Sequence, residues 1–235
     1  MRWFRFVFML VLLPLAACIG SDLPPQSSAE MALRELPLYG GDIVVRGPDG
    51  YCVDPASHRQ NSGSTLVFIG SCEALTGKAG TRVEAALMTV TVTPRRPRTS
   101  QPTASGIAAA LSPKAVLEQI YEDGIAMVHF NAGGDAALPG GDPRYWRGGM
   151  ALGGHLLSLA VYGPDGSRIA GPGGQSLLRA LASEIRSASP RGAGSATAEH
   201  NAPTQAKAAN TQMNTRTNTA NGFAAVFGAL FPNRS

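Results

Sequence analysis

Tyr145-Trp146-Arg147 is the densest group of side chains in this sequence that could hold a ligand: two aromatic rings and a guanidinium in consecutive positions, with Arg144 just ahead. On a strand, alternation sends Trp146 to one face and Tyr145 with Arg147 to the other. The trio therefore offers a ligand-stacking surface or, with Trp146 turned inward, a core anchor, and the anchor is the stronger expectation. The rest of the inventory is thin for catalysis. A serine hydrolase needs its serine on a strand-to-helix elbow with histidine support, and Gly-x-Ser-x-Gly does not occur. Gly171-Pro172-Gly173-Gly174-Gln175-Ser176 could turn backbone N–H groups toward an anion. It lacks the Gly-Lys-Ser/Thr ending of a phosphate loop and the full dinucleotide fingerprint, so a helix entry is expected. His58, His129, His155 and His200 share no metal-ligand spacing. Glu122-Asp123 suits a helix end, where turn and surface roles suffice. Arg95, Arg96 and Arg98 stand among Pro94 and Pro97 with no aromatic or helix terminus beside them, which reads as a solvated connector. No catalytic residue, metal site or cofactor is assigned.

The first eighteen residues carry the sharpest signal. Arg2 and Arg5 precede an apolar stretch from Phe6 to Leu15, broken only by Pro14, and twelve residues separate Arg5 from Cys18. A membrane-spanning helix needs about 20 apolar residues, so the length fits a signal peptide. Leu15-Ala16-Ala17-Cys18 resembles the lipobox of bacterial lipoproteins, in which a large aliphatic residue and two small ones precede a cysteine. The resemblance covers residues 1–18 only. It implies a diacylglyceryl group on the Cys18 sulfur, cleavage between Ala17 and Cys18, and acylation of the freed amine. Each buried CH₂ contributes about 0.8 kcal/mol, and two or three chains make the attachment stable where one does not. Ile19, not aspartate, follows the cysteine. By analogy with sorted lipoproteins, the periplasmic face of the outer membrane is expected before the inner membrane.

Cleavage leaves about 218 residues, enough for one domain of moderate core. Loss of Arg2 and Arg5 leaves 18 basic against 16 acidic side chains, too even a balance to argue for nucleic acid as a partner. Lipid consumes one of three cysteines, and Cys52 and Cys72 remain as a pair in an oxidising compartment, where a disulfide is the default. Cys-x-x-Cys spacing is absent, and His58 alone cannot complete a zinc site.

The elements follow from pattern and turn chemistry. Residues 1–17 are expected to be a signal peptide, 18–38 a lipidated tether, 39–189 the folded domain, 190–222 a disordered linker and 223–235 a short apolar segment. Order should begin near Tyr39. Asp42–Arg46 and Tyr51–Asp54, joined by Gly47-Pro48-Asp49-Gly50, read as a hairpin. Leu66–Ile69 is an apolar strand that the disulfide would staple to it. Met88, Val90 and Val92 alternate with Thr89, Thr91 and Thr93, as on a sheet with one face on a core and one in water. Ser112-Pro113 suggests a helix start, with Val116, Leu117 and Ile120 as its stripe and Gly124 as its stop. Ile125–Phe130 is a strand, 131–143 a loop, and Tyr145–Leu152 with His155–Tyr162 a hairpin about Gly153-Gly154. A helix is expected from about Gly174 to Ala188, with Leu177, Leu178, Leu181 and Ile185 on one face and Pro190 at its exit. Residues 191–222 hold scarcely any large apolar side chain. Phe223, Phe227, Leu230 and Phe231 then return at helical spacing, able to dock on the domain, the membrane or a partner.

These elements predict an α+β domain, a mostly antiparallel sheet with two helices on one face. The helix–strand–hairpin–helix order of the second half is loosely similar to Mog1/PsbP-like architectures, in element order alone. The expected function is that of a membrane-anchored envelope lipoprotein, a non-enzymatic accessory or assembly factor that binds an envelope protein through the sheet face or the apolar C-terminal end. The alternative is a periplasmic domain that binds a small ligand or envelope polymer near Trp146.

Overall fold

The computed structural model describes residues 32–190 apart from Ser62. Among the described residues there are nine strands and four helices: β1 (Glu35–Leu38), β2 (Ile43–Arg46), β3 (Tyr51–Asn61), β4 (Ser64–Ser71), α1 (Cys72–Thr76), β5 (Leu87–Val92), α2 (Ala104–Ala110), β6 (Val116–Glu122), β7 (Ile125–Phe130), α3 (Gly134–Ala137), β8 (Tyr145–Leu152), β9 (His155–Tyr162) and α4 (Pro172–Ala188). Seven strands form one antiparallel sheet in the order β3-β4-β5-β9-β8-β7-β6, and β1 pairs with β2 in a second. The large sheet is two meanders, β3-β4-β5 and β6-β7-β8-β9, joined where β5 meets β9. The class is α+β.

Both faces of the sheet are covered. On one, α4 and the β1–β2 ribbon pack over Met88, Val90, Val92, Trp146, Leu157 and Leu159. Leu178, Leu181, Ala182 and Ile185 supply the buried stripe of α4, and Pro172 sits in its first turn, where no helical hydrogen bond is lost. On the other face, Ile107, Ala108 and Leu111, in α2 and just past its end, pack over Phe130, Tyr145 and Tyr162. Two glycines of β8 let both layers close in. A Cβ on Gly148 would meet Ile125 Cδ1 at 2.8 Å and Leu178 Cδ2 at 3.1 Å, while one on Gly149 would meet Pro102 Cγ at 2.9 Å and Ile107 Cδ1 at 3.1 Å. Strand β7, between β8 and the edge strand β6, is buried along its whole length.

Several sequence expectations are realised and several corrected. The disulfide Cys52–Cys72 is present and ties the start of β3 to α1, just beyond β4. Strands β8 and β9 have the expected bounds, with Gly153 and Gly154 at φ 58° and 85° in their turn. The helix expected after Ser112-Pro113 does not form, since Val116–Glu122 is the edge strand β6. Val116, Ile120 and Tyr121 suit a strand, and Asp123-Gly124, at φ 50° and 70°, is the two-residue turn that folds β6 onto β7. The helix that does form, α2, lies earlier and on the face opposite α4, so the two helices do not share a face. From α2 onward the order is therefore helix–strand–strand–short helix–hairpin–helix, and the Mog1/PsbP-like likeness is not confirmed.

Nor is Asp42–Arg46 hairpinned to Tyr51–Asp54. The turn forms, with Tyr51 N–H donating to Pro48 O at 2.9 Å, but β2 pairs with β1 and β3 with β4. The corner sends the chain from the ribbon into the sheet. Order also begins before Tyr39: β1 lies within the expected tether, and Leu33 exchanges backbone hydrogen bonds of 2.9 and 2.8 Å with Val53. Thr89 and Thr91 are half-buried, not in water, with Phe68 and Ala160 flanking the first and Leu66 and Ser158 the second across the sheet. The 131–143 loop contains α3. The expected signal peptide, Cys18, the expected tether to Met31, the expected linker beyond Pro190 and the segment with Phe223, Phe227, Leu230 and Phe231 lie outside the described residues. Among the described residues no helix is long and apolar enough to cross a membrane.

Candidate functional site

Strand β8 splits the Tyr145-Trp146-Arg147 trio between the two faces. Trp146, 1% exposed, points into the core under α4. Its ring stacks on His129 with centroids 4.5 Å apart and 4° between planes, and its Nε1–H donates to Gly171 O at 2.8 Å. His129 Nε2 lies 2.8 Å from Ala170 O, so both rings are tied to the chain that enters α4. The glycine-rich run at 171–174 is consumed by this packing. A Cβ on Gly174 would reach Trp146 Cδ1 at 2.8 Å and collide with the Ile169 carbonyl.

On the opposite face Tyr145, 3% exposed, stands in a stack between Phe130 and Tyr162, with centroids 5.4 and 5.2 Å away. The Lys114 ammonium sits 5.4 Å from the Tyr145 centroid. Neither aromatic of the trio presents a free ring to a ligand.

Arg147 is different. It is partly exposed on the second face, with Ala160 of β9 and Val128 of β7 as its cross-strand neighbours. Nη1 donates to Ser158 Oγ at 3.2 Å, whereas the buried Nε–H has no acceptor among the described residues. Thr89 lies across Ala160 in the same row of the sheet. The Tyr162 hydroxyl joins this neighbourhood. Burial pushes it above its ordinary range, while the Arg147 charge and hydrogen bonding with Thr89 pull the other way. The assembled group is one guanidinium among neutral hydroxyls, able to hold an anion by charge and hydrogen bonds. Ser158 was within reach of sequence reasoning, because a two-residue turn at Gly153-Gly154 sets Arg147 opposite Ala160 and Gly149 opposite Ser158. Thr89 was not, since the β5–β9 pairing has no local signal.

The remaining polar clusters hold loops together. Asp142, 3% exposed, accepts from Arg144 Nε at 3.0 Å and Nη2 at 2.8 Å, and from the backbone N–H of Arg144 at 2.9 Å and Gly166 at 3.0 Å. The Arg144 guanidinium leads in bringing this carboxyl from 3.8 to about 2. A folded value below the unfolded one adds stability that is complete above the ordinary carboxylate range and disappears as pH falls to about 2. Solvent around the half-exposed Arg144 guanidinium screens the pair, so the contribution at neutral pH is about 1 kcal/mol. Acid titration of the folded domain should show this loss between about pH 4 and 2, and Asp142→Asn should be less stable at pH 7 yet flatter across that window.

His155, buried, is tilted against Tyr39, with Nδ1 2.8 Å from Thr93 O and Nε2 3.4 Å from Asp42 Oδ2. This joins the β1–β2 corner to the sheet. Glu122 and Asp123 both pair with Arg179 of α4. His58 is exposed on β3, Arg95 lies 3.8 Å from Asp42, and Arg96 and Arg98 are exposed. Among the described residues no three His, Cys, Asp or Glu side chains gather as a metal ion would need. Comparison with protein-family models, curated proteins and solved structures finds no match.

Proposed function

We propose that this chain is a lipid-anchored accessory protein of the bacterial cell envelope, facing the periplasm and acting by binding another envelope protein. One observation carries the reading: the Leu15-Ala16-Ala17-Cys18 ending of a short, arginine-led apolar segment. The Cys52–Cys72 disulfide supports it, since such bonds persist in oxidising compartments. Leu117 and Tyr121, 53% and 63% exposed on edge strand β6, support a protein partner, as do Phe223, Phe227, Leu230 and Phe231 beyond the described residues. Labelling cells with a palmitate analogue should mark the protein, and Cys18→Ser should abolish both the label and membrane association. An unlabelled chain that still pellets with membranes would end the proposal. Pull-down from detergent-solubilised membranes, with and without residues 220–235, tests the partner. Recovery of no specific protein in either case counts against it. Arg147 favours a second reading, in which the domain holds a small ligand or envelope polymer on the second sheet face.

A further inference from the structure

Arg46, Arg144 and Arg179 all turn the same edge of the guanidinium, Nε–H with Nη2, toward an acid. The distances are 3.1 and 2.6 Å to Glu35, 3.0 and 2.8 Å to Asp142, and 3.2 and 2.8 Å to Asp123. That edge is the fork that matches the two oxygens of a carboxylate or phosphate. In Arg147 the opposite corner, Nη1, is held by Ser158 Oγ, and the fork is turned to no acid among the described residues. A guanidinium drawn onto a sheet face loses hydration, and an unpaired N–H buried with it adds to the cost. The neighbours, Ser158, Thr89 and Tyr162, are neutral, so none of them balances the charge.

We propose that Arg147 anchors an oxyanion-binding site on this face. A ligand bearing a carboxylate or phosphate presents its oxygens to Nε and Nη2, and the Ser158 hydroxyl keeps the guanidinium plane in place. The Nε–H is closed off from solvent in this structure, so an oxygen meets the partly exposed end of the side chain first, and the Nε–H becomes the second donor when the side chain turns outward toward it. The inference rests on the ligand-binding reading and is independent of the anchor and of the protein partner. Acylation of Cys18 is read by labelling, so either result can fail alone.

The test is a titration of ¹⁵N-labelled full-length protein, followed through its arginine Nε–H resonances, with acetate, benzoate and inorganic phosphate in separate arms. Sodium chloride at matched ionic strength is the reference. One resonance, the one missing in Arg147→Lys, should move saturably with at least one oxyanion and not with chloride. The arm that saturates at the lowest concentration tells carboxylate from phosphate. Arg147→Lys keeps the charge but not the fork and should weaken binding by about tenfold or more. Ser158→Ala, a lighter change, should weaken it by less. If no oxyanion moves an Nε–H resonance beyond the chloride drift, or if a folded Arg147→Lys binds as tightly as the parent, the site does not exist. The parent titration decides the matter even if a variant does not fold.

Discussion

Trp146→Ala should remove about 3–5 kcal/mol from the stability of the domain, the largest loss expected from any single truncation in its core. Three contributions coincide at this residue. The ring is almost wholly removed from water and lies under α4. It stacks face to face on His129. Its indole N–H satisfies Gly171 O, a carbonyl at the entrance of α4, and truncation leaves that acceptor without its donor. Single domains are stable by roughly 5–15 kcal/mol, so a loss of this size approaches the total. Urea denaturation followed by far-ultraviolet circular dichroism is the measurement, since the variant lacks its main fluorophore. Trp146→Phe separates the contributions. It keeps most of the apolar burial but not the hydrogen bond, and should cost less than the alanine variant. Equal losses from the two variants would mean that packing of the ring contributes little and the bond to Gly171 dominates.

Opening the Cys52–Cys72 disulfide should cost about 3 kcal/mol. The cysteines are 20 residues apart, and a closed loop of that length removes conformational freedom mainly from the unfolded chain. The folded state needs the bond less, because β3 and β4 already pair beside it, with Tyr51 opposite Ser71 and Cys52 opposite Gly70. A reduced protein, or Cys52→Ala with Cys72→Ala, should therefore keep its sheet yet unfold at clearly lower urea, with the slope of the transition reporting a more open denatured state. An unchanged midpoint on reduction would show that the unfolded chain is already compact between β3 and α1. A loss far above this figure would show that the bond also holds α1 and the end of β4 in place.

The two residues with the greatest leverage on stability and on binding, Trp146 and Arg147, are adjacent in sequence and stand on opposite faces of one strand. Alternation along Tyr145–Leu152 makes that separation readable from the order of residues alone. What each side chain meets on its own face is less readable. Arg147 shares a row of the sheet with Thr89, across Ala160, because β5 pairs with β9, a contact between residues some seventy positions apart. Nothing near either strand encodes it. Likewise Thr89 and Thr91 look like a solvent face in a pattern of alternating threonines, and they are half-buried because their cross-strand neighbours flank them, Phe68 and Ala160 beside Thr89 and Leu66 and Ser158 beside Thr91.

The error at Val116–Glu122 has a local cause. Val116, Leu117 and Ile120 satisfy a helical stripe as well as a strand, and the serine–proline pair ahead of them looks like a helix start. The Asp123-Gly124 turn, which favours a hairpin, carried the contrary information. The other misreading, the hairpin across Gly47-Pro48-Asp49-Gly50, is a failure of partner choice. Good turn chemistry bends the chain without saying which strand the next segment will join.

Sequence alone was enough for the disulfide, the β8–β9 hairpin, the buried stripe of α4 and the sidedness of Tyr145-Trp146-Arg147. Each of these depends on residues within about twenty positions and on periods of 2.0 or 3.6 that the backbone imposes. Tertiary structure decided the rest: the seven-strand order, the helices on opposite faces, the ribbon of β1 and β2, and the company that Arg147 keeps. Those depend on which distant apolar surfaces bury one another, a competition among non-local pairings that local periodicity and turn residues leave open.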